Sequence, residues 1–261
     1  MFGKKVLLYL ALLLVLAIPF GAAGCAVVTG SGEIATWEMD YSDFNKIEIG
    51  SAFDVEITRA NSFQVRITID KKLYEYLEID QRGDTLRIKL KSNYVYQDTT
   101  QQATVTLPDL HRLELSGASK ADVSGFSVTH SLDFELSGAS RMELGHTISG
   151  NAEFKLSGGS QTNGSIEMDD GRFELSGASE LVLTGTAEDI TIDASGASDL
   201  TLPQFAVVTA DVNLSGASDA IVNVASSMDV HLSGASELEY IGTPKLGELE
   251  MSGNSTLNQR E

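Results

Sequence analysis

Apolar and polar residues alternate in short runs along most of this chain, and the runs recur. The pairs Leu113/Leu115, Phe134/Leu136, Phe154/Leu156, Phe173/Leu175, Ile192/Ala194, Val212/Leu214, Val230/Leu232 and Leu249/Met251 each enclose one polar residue. Each pair is followed at once by the same kind of tetrad. Ser-Gly-Ala-Ser begins at Ser116, Ser137, Ser176, Ser195, Ser215 and Ser233, with SGGS at Ser157 and SGNS at Ser252, at intervals of 21, 20, 19, 19, 20, 18 and 19 residues. Further alternating pairs follow, such as Met142/Leu144, Leu181/Leu183 and Leu200/Leu202. A period of two turns one side of an extended strand toward a core. Tracts this rich in Ser and Gly make poor helices.

A repeat of about 19–20 residues holding two or three short strands predicts an all-β, single-chain parallel β-helix, a β-solenoid with one coil per repeat. Each strand then pairs with its equivalent one turn later, about 4.8 Å away. Propeller blades need about 40 residues and leucine-rich repeats another consensus. The tetrad reads as a corner, with Gly taking a positive φ and the small Ala placed inside where the wall narrows. A second bend is expected near Gly125, Gly145, Gly185, Pro203, Asn223 and Gly242. The tetrad serines form structural ladders, their hydroxyls bonding along the axis or to the corner backbone. No His or acid recurs beside them at fixed offset, so they are not nucleophiles. The residues enclosed by the apolar pairs, Glu114, Glu135, Lys155, Glu174, Asp193, Asn213, His231 and Glu250, form an outward column, read as a solvated face rather than a cation site.

Residues 37–110 differ from the regular SGAS-repeat solenoid of 111–261. Strand-like stretches run through 46–57, 63–69, 77–80, 85–91 and 103–107, Gly50-Ser51-Ala52 echoes the tetrad, and Arg82-Gly83-Asp84 marks a hairpin turn rather than an integrin ligand. This N-terminal β region is expected to cap and continue the solenoid, whose end strands need covering.

The start of the chain carries an address. Lys4 and Lys5 precede an apolar run from Val6 to Ile18, closed by Pro19, too short for the ~20 residues that span a bilayer. Residues 1–24 therefore read as a signal peptide. The small residues before Cys25 resemble a bacterial lipobox, although Ala22 stands where Leu is commonest, so Cys25 is the expected lipid attachment site. Plain cleaved secretion and an uncleaved anchor are the alternatives. Residues 25–36 read as a short flexible, lipid-anchored tether. Ala26, unlike the Asp that retains lipoproteins at the inner membrane, favours the outer membrane by resemblance, on either its periplasmic or its surface-facing side.

Composition narrows the chemistry. The chain has 261 residues, 18 basic against 37 acidic, net charge −19, and one Cys. An intrachain disulfide and Cys-rich zinc sites are thereby excluded, and nucleic acid is an unsuitable partner for so acidic a surface. The charge is uneven: residues 25–110 carry 9 basic and 14 acidic side chains, residues 111–261 carry 7 and 23. His111, His130, His146 and His231 show no ligand spacing, so no metal is expected, and no phosphate-loop or dinucleotide fingerprint calls for a cofactor. No catalytic residues are assigned. Asp169/Asp170 or Glu188/Asp189 are the candidates for a β-helix carbohydrate-active enzyme, but turns this short build no cleft wall. Trp37, Tyr41, Tyr74, Tyr76, Tyr94 and Tyr96 offer an aromatic sugar platform or, more simply, cap packing.

The stretch VVTGSGEIATWEMDYSDFNKIEIGSAFDVEI, then LEIDQRGDTLRIKL, then VTLPDLHRLELSGAS resembles the putative auto-transporter adhesin, head GIN domain family, over about residues 44–250. Its most specific parts are Phe44–Ile47, the LPDL of 107–110 and the tetrads; Ala after the Gly departs from the bulkier or charged residue of many members. The resemblance implies an exported or lipid-anchored bacterial protein with a right-handed β-helix and no catalytic residues to carry over. The expectation is a cell-envelope interaction module, adhesin-like, held to the membrane by its N-terminal lipid and meeting a glycan or envelope protein, its binding residues unknown. A passive structural spacer is the alternative.

Overall fold

The computed structural model describes residues 26–260. Residues 1–24, read as a signal peptide, and Cys25 lie outside the described residues. The repeat region is a parallel β-solenoid. Strands preceding the tetrads pair in parallel from coil to coil, so that Leu113, Phe134, Phe154, Phe173, Ile192, Val212, Val230 and Leu249 stand in one ladder. Strands following the tetrads form a second ladder through Ala121, Met142, Thr162, Leu181, Leu200, Ala220, Leu238 and Leu257. The second bend falls where the register shifts, between Leu144 and Thr147, Val182 and Gly185, and Thr201 and Ala206. Beyond it Phe126, Ile166, Phe205 and Val224 turn inward and close the tube.

Side chains fill that tube. The rings of Phe134 and Phe154 stack at 4.9 Å, those of Phe154 and Phe173 at 5.6 Å, and Phe205 meets Phe173 edge-on at 6.4 Å. Offset and edge contacts of this kind add to the burial of large apolar area. Leu136, Leu156, Leu175, Ala194, Leu214 and Leu232 line the next ladder of the same core.

The tetrad corner has a definite geometry. Its Gly sits at φ between +73° and +85° in all eight copies. A Cβ on Gly177 would lie 2.6 Å from the carbonyl oxygen of Gly158 one coil below, and Gly138, Gly158, Gly196, Gly216, Gly234 and Gly253 meet the same obstacle. Glycine is required twice over, for its backbone angle and for the closeness of the next coil. The following N–H closes that contact: Ala197 N donates to Gly177 O at 2.7 Å, and Ala139, Ala178, Ala217 and Ala235 do likewise. The expected placement of Ala inside is corrected here. Ala118, Ala139, Ala178, Ala197, Ala217 and Ala235 are exposed, and it is the second Ser that is buried. Gly117 and Ala118 both turn outward at the corner, and Ser119, which has the parity of Leu113 and Leu115, is the residue that returns to the core. Its hydroxyl is satisfied locally: Ser119 Oγ donates to Ser116 O at 2.9 Å, Ser140 to Ser137 at 2.8 Å and Ser198 to Ser195 at 2.8 Å. The first Ser reaches along the axis instead, as Ser116 Oγ does to Ile49 O at 3.3 Å.

The N-terminal coils are stacked out of chain order. Lys46–Ile49 and Asp54–Arg59 flank Gly50-Ser51-Ala52 and pair in parallel with Arg112–Leu115 and Lys120–Ser124 of the first tetrad coil. On their other side lie strands that come later in sequence, Thr85–Leu90 and Gln101–Leu107. Antiparallel strands cover the outer edges of these two: Leu77–Arg82 joins Thr85–Leu90 through the turn at Gly83, and Gln64–Asp70 then Ile34–Met39 extend from Gln101–Leu107. Edges that would otherwise offer unpaired backbone groups are thus occupied. A 3₁₀ segment, Lys71–Tyr76, links the two antiparallel layers.

Residues 26–36 are not a flexible tether, contrary to the sequence reading. Ala26–Thr29 pairs in parallel with Tyr94–Gln97, and Val28 is buried. The carboxylate of Asp70, itself buried, then accepts from Ser31 N at 2.6 Å, Ser31 Oγ at 2.8 Å, Gly32 N at 2.8 Å and Lys72 N at 3.0 Å. Small residues suggested slack, but here they are what lets the chain turn around a buried anion. Burial works against the charge on Asp70, yet the Ser31 hydroxyl and the three backbone N–H groups outweigh it and lower its pKa below the usual carboxylate value.

Candidate functional site

A concave strip runs along the solenoid beside the tetrad corner. One wall is the outward column and the other the first serines of the tetrads; the floor is the backbone between them. The strip opens into three aligned cavities. The largest, about 750 Å³, spans Asp193, Asn213, His231 and Glu250 on one wall and Ser195, Ser215, Ser233 and Ser252 on the other. A second, about 400 Å³, continues it past Glu135, Lys155 and Glu174 opposite Ser157 and Ser176. A third, about 210 Å³, lies against Glu48, Arg87 and Glu114 opposite Ser116. Parallel pairing fixes this geometry, because each coil contributes one outward side chain and one serine at the same height.

The column is less uniformly acidic than its own residues suggest. The neighbouring outward ladder supplies Arg112 and Arg172, and the column itself holds Lys155 and, in register with Glu48, Arg87. Arg87 bridges to Glu48 at 2.6 Å, Lys155 to Glu153 at 2.8 Å, and Arg172 to Glu174 at 2.7 Å and Asp193 at 2.8 Å; Arg112 bonds Glu135. Exposed pairs of this kind add little stability, but they order the wall. Glu114, between Glu48 and Glu135 in register, has its pKa raised by burial and by those two carboxylates. Toward the C-terminal coils the cations give out. Asn213 and His231 then stand in the column, and His231 Nδ1 is buried without a hydrogen-bond partner.

The other sequence-predicted groups are distributed elsewhere. Asp170 and Asp189 stack in register on the exterior, and Asp169 and Glu188 are exposed beside them; none lines the three cavities. The aromatics form two groups at the N-terminal end. Trp37 lies 4.7 Å from Tyr74, and Tyr76 meets Tyr94 at 4.8 Å and Tyr96 at 6.0 Å, with Lys91 Nζ 5.9 Å from the Tyr76 ring. Tyr96 donates to Lys91 O at 2.8 Å, and burial followed by its two tyrosine neighbours pushes its pKa up to about 12. Tyr41 donates to Ile79 O at 3.0 Å.

Reading His spacing alone missed one cluster. His111 and His130 stack at 3.9 Å with planes 14° apart, and the Asp109 carboxylate reaches both, at 3.1 Å from His111 Nε2 and 2.8 Å from His130 Nε2. The interval of 19 residues between the two histidines is close to one coil, which here is 21 residues long, Arg112 pairing with Asp133. That period, already plain in the tetrads, was the signal that could have found them. Burial pulls the pKa of His130 down, but its bond to Ser131 O and the Asp109 carboxylate raise it above the ordinary histidine value.

Comparison with known proteins agrees with the architecture. Residues 43–244 match the family model described as putative auto-transporter adhesin, head GIN domain. Among solved structures, a putative lipid binding protein from Parabacteroides distasonis superposes with a TM-score of 0.81 at 19% identity, covering 90% of this chain and 100% of the other. A putative adhesin from Parabacteroides merdae gives 0.78 at 16%, covering 90% and 100%, and one from Bacteroides fragilis 0.68 at 16%, covering 89% and 100%. At these identities the likeness is one of fold. No curated protein matches the chain in sequence.

Proposed function

The chain belongs to the head GIN domain family, and from that premise we propose that it is a lipid-anchored, non-catalytic, adhesin-like module of the cell envelope that binds an extended polymer along the strip beside its serines. The observation that carries this reading is the alignment of three cavities on the same two ladders. A linear ligand meets equivalent side chains at each coil, and each contact adds to the last. Hydroxyl, amide, imidazole and carboxylate groups on the walls suit a neutral or amino-sugar glycan. An anionic polymer would be repelled, with 23 acidic against 7 basic residues in 111–261. The core is filled by stacked Phe rings, so the ligand is read as external and not as a lipid held inside the tube.

Attachment through Cys25 is part of the same proposal. Because Ala26 already begins a strand, a lipid on the preceding residue would hold the N-terminal end against the membrane and point the repeat coils away from it. Two measurements test the reading. Cys25→Ser is expected to move the protein from the membrane fraction to the soluble one. Ser215→Tyr, which fills the widest part of the strip, is expected to weaken binding to arrayed envelope glycans about tenfold or more with its melting temperature unchanged. Equal array signals from wild type and variant, or none from either, would leave the passive spacer as the better account.

A further inference from the structure

We propose that Asp109, His111 and His130 form a binding site for one divalent transition-metal ion of the zinc type. The three residues each offer a ligand atom, and these atoms lie within 4.8 Å of one another. Ligand atoms in a tetrahedral site with bonds of about 2.0–2.1 Å stand ~3.4 Å apart. The carboxylate oxygens lie 2.8 and 3.1 Å from the two Nε2 atoms, so binding opens these contacts slightly and tilts the rings, now 14° from parallel, until both lone pairs meet the ion. Two imidazoles and a carboxylate match the preference of zinc-like ions, whereas calcium and magnesium take oxygen ligands.

The second observation concerns the other edge of the His130 ring. Its Nδ1 lies 2.9 Å from the carbonyl oxygen of Ser131. A carbonyl only accepts, so Nδ1 carries the proton, and in the neutral ring the lone pair sits on Nε2, aimed at a carboxylate that also only accepts. Two acceptors face each other unless a proton or a cation lies between them. Fixing of the ring by a backbone carbonyl on its far nitrogen is the usual arrangement of a metal-bound histidine. Nearby, Asp109 also borders a cavity of about 290 Å³ shared with Asn45, whose Oδ1 is buried and has no hydrogen-bond partner.

The place in the fold suggests what the ion does. Asp109 and His111 immediately precede Arg112–Leu115, and His130 precedes Leu132–Leu136 in the next coil. Asp133 N already donates to His111 O at 2.9 Å. The ion pins the first two tetrad coils together where the irregular N-terminal stack meets the regular one.

Calorimetric titration of the full-length protein with zinc, and with calcium as the control, tests this. Zinc is expected to bind at one principal site and to raise the melting temperature; calcium is not. His111→Gln and His130→Gln are each expected to weaken zinc binding by about 10- to 100-fold or more, while His231→Gln leaves it unchanged. X-ray absorption of the zinc-loaded wild type is expected to show two imidazoles. It decides the matter if a variant fails to fold. Absence of zinc binding, binding unaffected in both variants, loss with His231→Gln alone, or an all-oxygen coordination shell would each overturn the proposal. Only loss with His231→Gln would bear on the glycan strip, whose wall holds that residue; the other outcomes concern Asp109, His111 and His130, which line none of its three cavities.

Discussion

The corner of the earliest coil and the corners of the repeat coils do the same task with different residues. At Gly50-Ser51-Ala52 the left-handed angles fall on Ser51 and Ala52, at φ 60° and 59°. In the tetrads they fall on Gly at every copy. A Cβ on Gly117, which stacks on the early corner, would meet nothing closer than 3.4 Å, whereas one on Gly177 strikes a carbonyl at 2.6 Å. Non-glycine residues are tolerated at positive φ where stacking is loose. Where coil lies on coil in strict register they are not. The regular region therefore has repeated local constraints, and the N-terminal region has single, specific ones such as the Asp70 clamp.

That contrast is broken most sharply by adding one carbon. Gly177→Ala is expected to cost about 2–4 kcal/mol, read from chemical denaturation. Gly83→Ala, at φ +61° in a hairpin turn with nothing within 4 Å of the new Cβ, should cost only about 1–2 kcal/mol. Equal losses would mean that backbone angle alone, and not coil stacking, selects glycine.

The Asp70 clamp comes next. Asp70→Asn is expected to cost about 1.5–3 kcal/mol and to speed amide exchange of Ser31 and Gly32. The two regions should also answer acid in opposite ways. Asp70 has a lowered pKa in the folded state, so its contribution is complete above the ordinary carboxylate value near 3.8 and is lost as the pH falls through the lowered one. Glu114 and Asp219 are raised, each first by burial and then by stacked carboxylates, Glu135 and Glu48 for one and Asp199 and Glu237 for the other. Their strain is present at neutral pH and is relieved as the pH falls through their raised values. Melting followed by region-specific probes should show the repeat coils gaining slightly in mild acid before the N-terminal end loosens.

The smallest effect separates the two serines of one tetrad. Ser198→Ala removes a buried hydroxyl with a 2.8 Å bond to Ser195 O and should cost about 1 kcal/mol. Ser195→Ala removes an exposed hydroxyl whose bond to Leu175 O is 3.5 Å long and should stay within about 0.5 kcal/mol.

Strand alternation, a coil per tetrad and glycine at the bend were all legible, because each depends on neighbours in sequence. Which tetrad residue faces the core was legible too, but by parity rather than polarity: Ser119 shares the phase of Leu113 and Leu115, and its hydroxyl is buried at little cost because Ser116 O lies within reach. Reading Ala118 as the inward residue followed hydrophobicity where geometry decides. The placement of Thr85–Leu90 beneath Lys46–Ile49 was beyond reach, since no local pattern tells a chain to insert a later coil under an earlier one. Residues 26–29 were misread for a similar reason, their partner being Tyr94–Gln97. The longitudinal strip follows from register and was half visible as the outward column; the cations that neutralise it, Arg112 and Arg172, belong to the adjacent ladder. Asp109 and His111 meet His130 because nearly one coil of chain lies between them.

Hydrogen exchange at the tetrad alanines tests the stacked-corner account most directly. The side chains of Ala139, Ala178, Ala197, Ala217 and Ala235 face solvent, while their N–H groups donate to the glycine carbonyl of the preceding coil. The account predicts that these amides exchange as slowly as the buried strand amides beside them. Exchange at the rate of an open surface turn would contradict it.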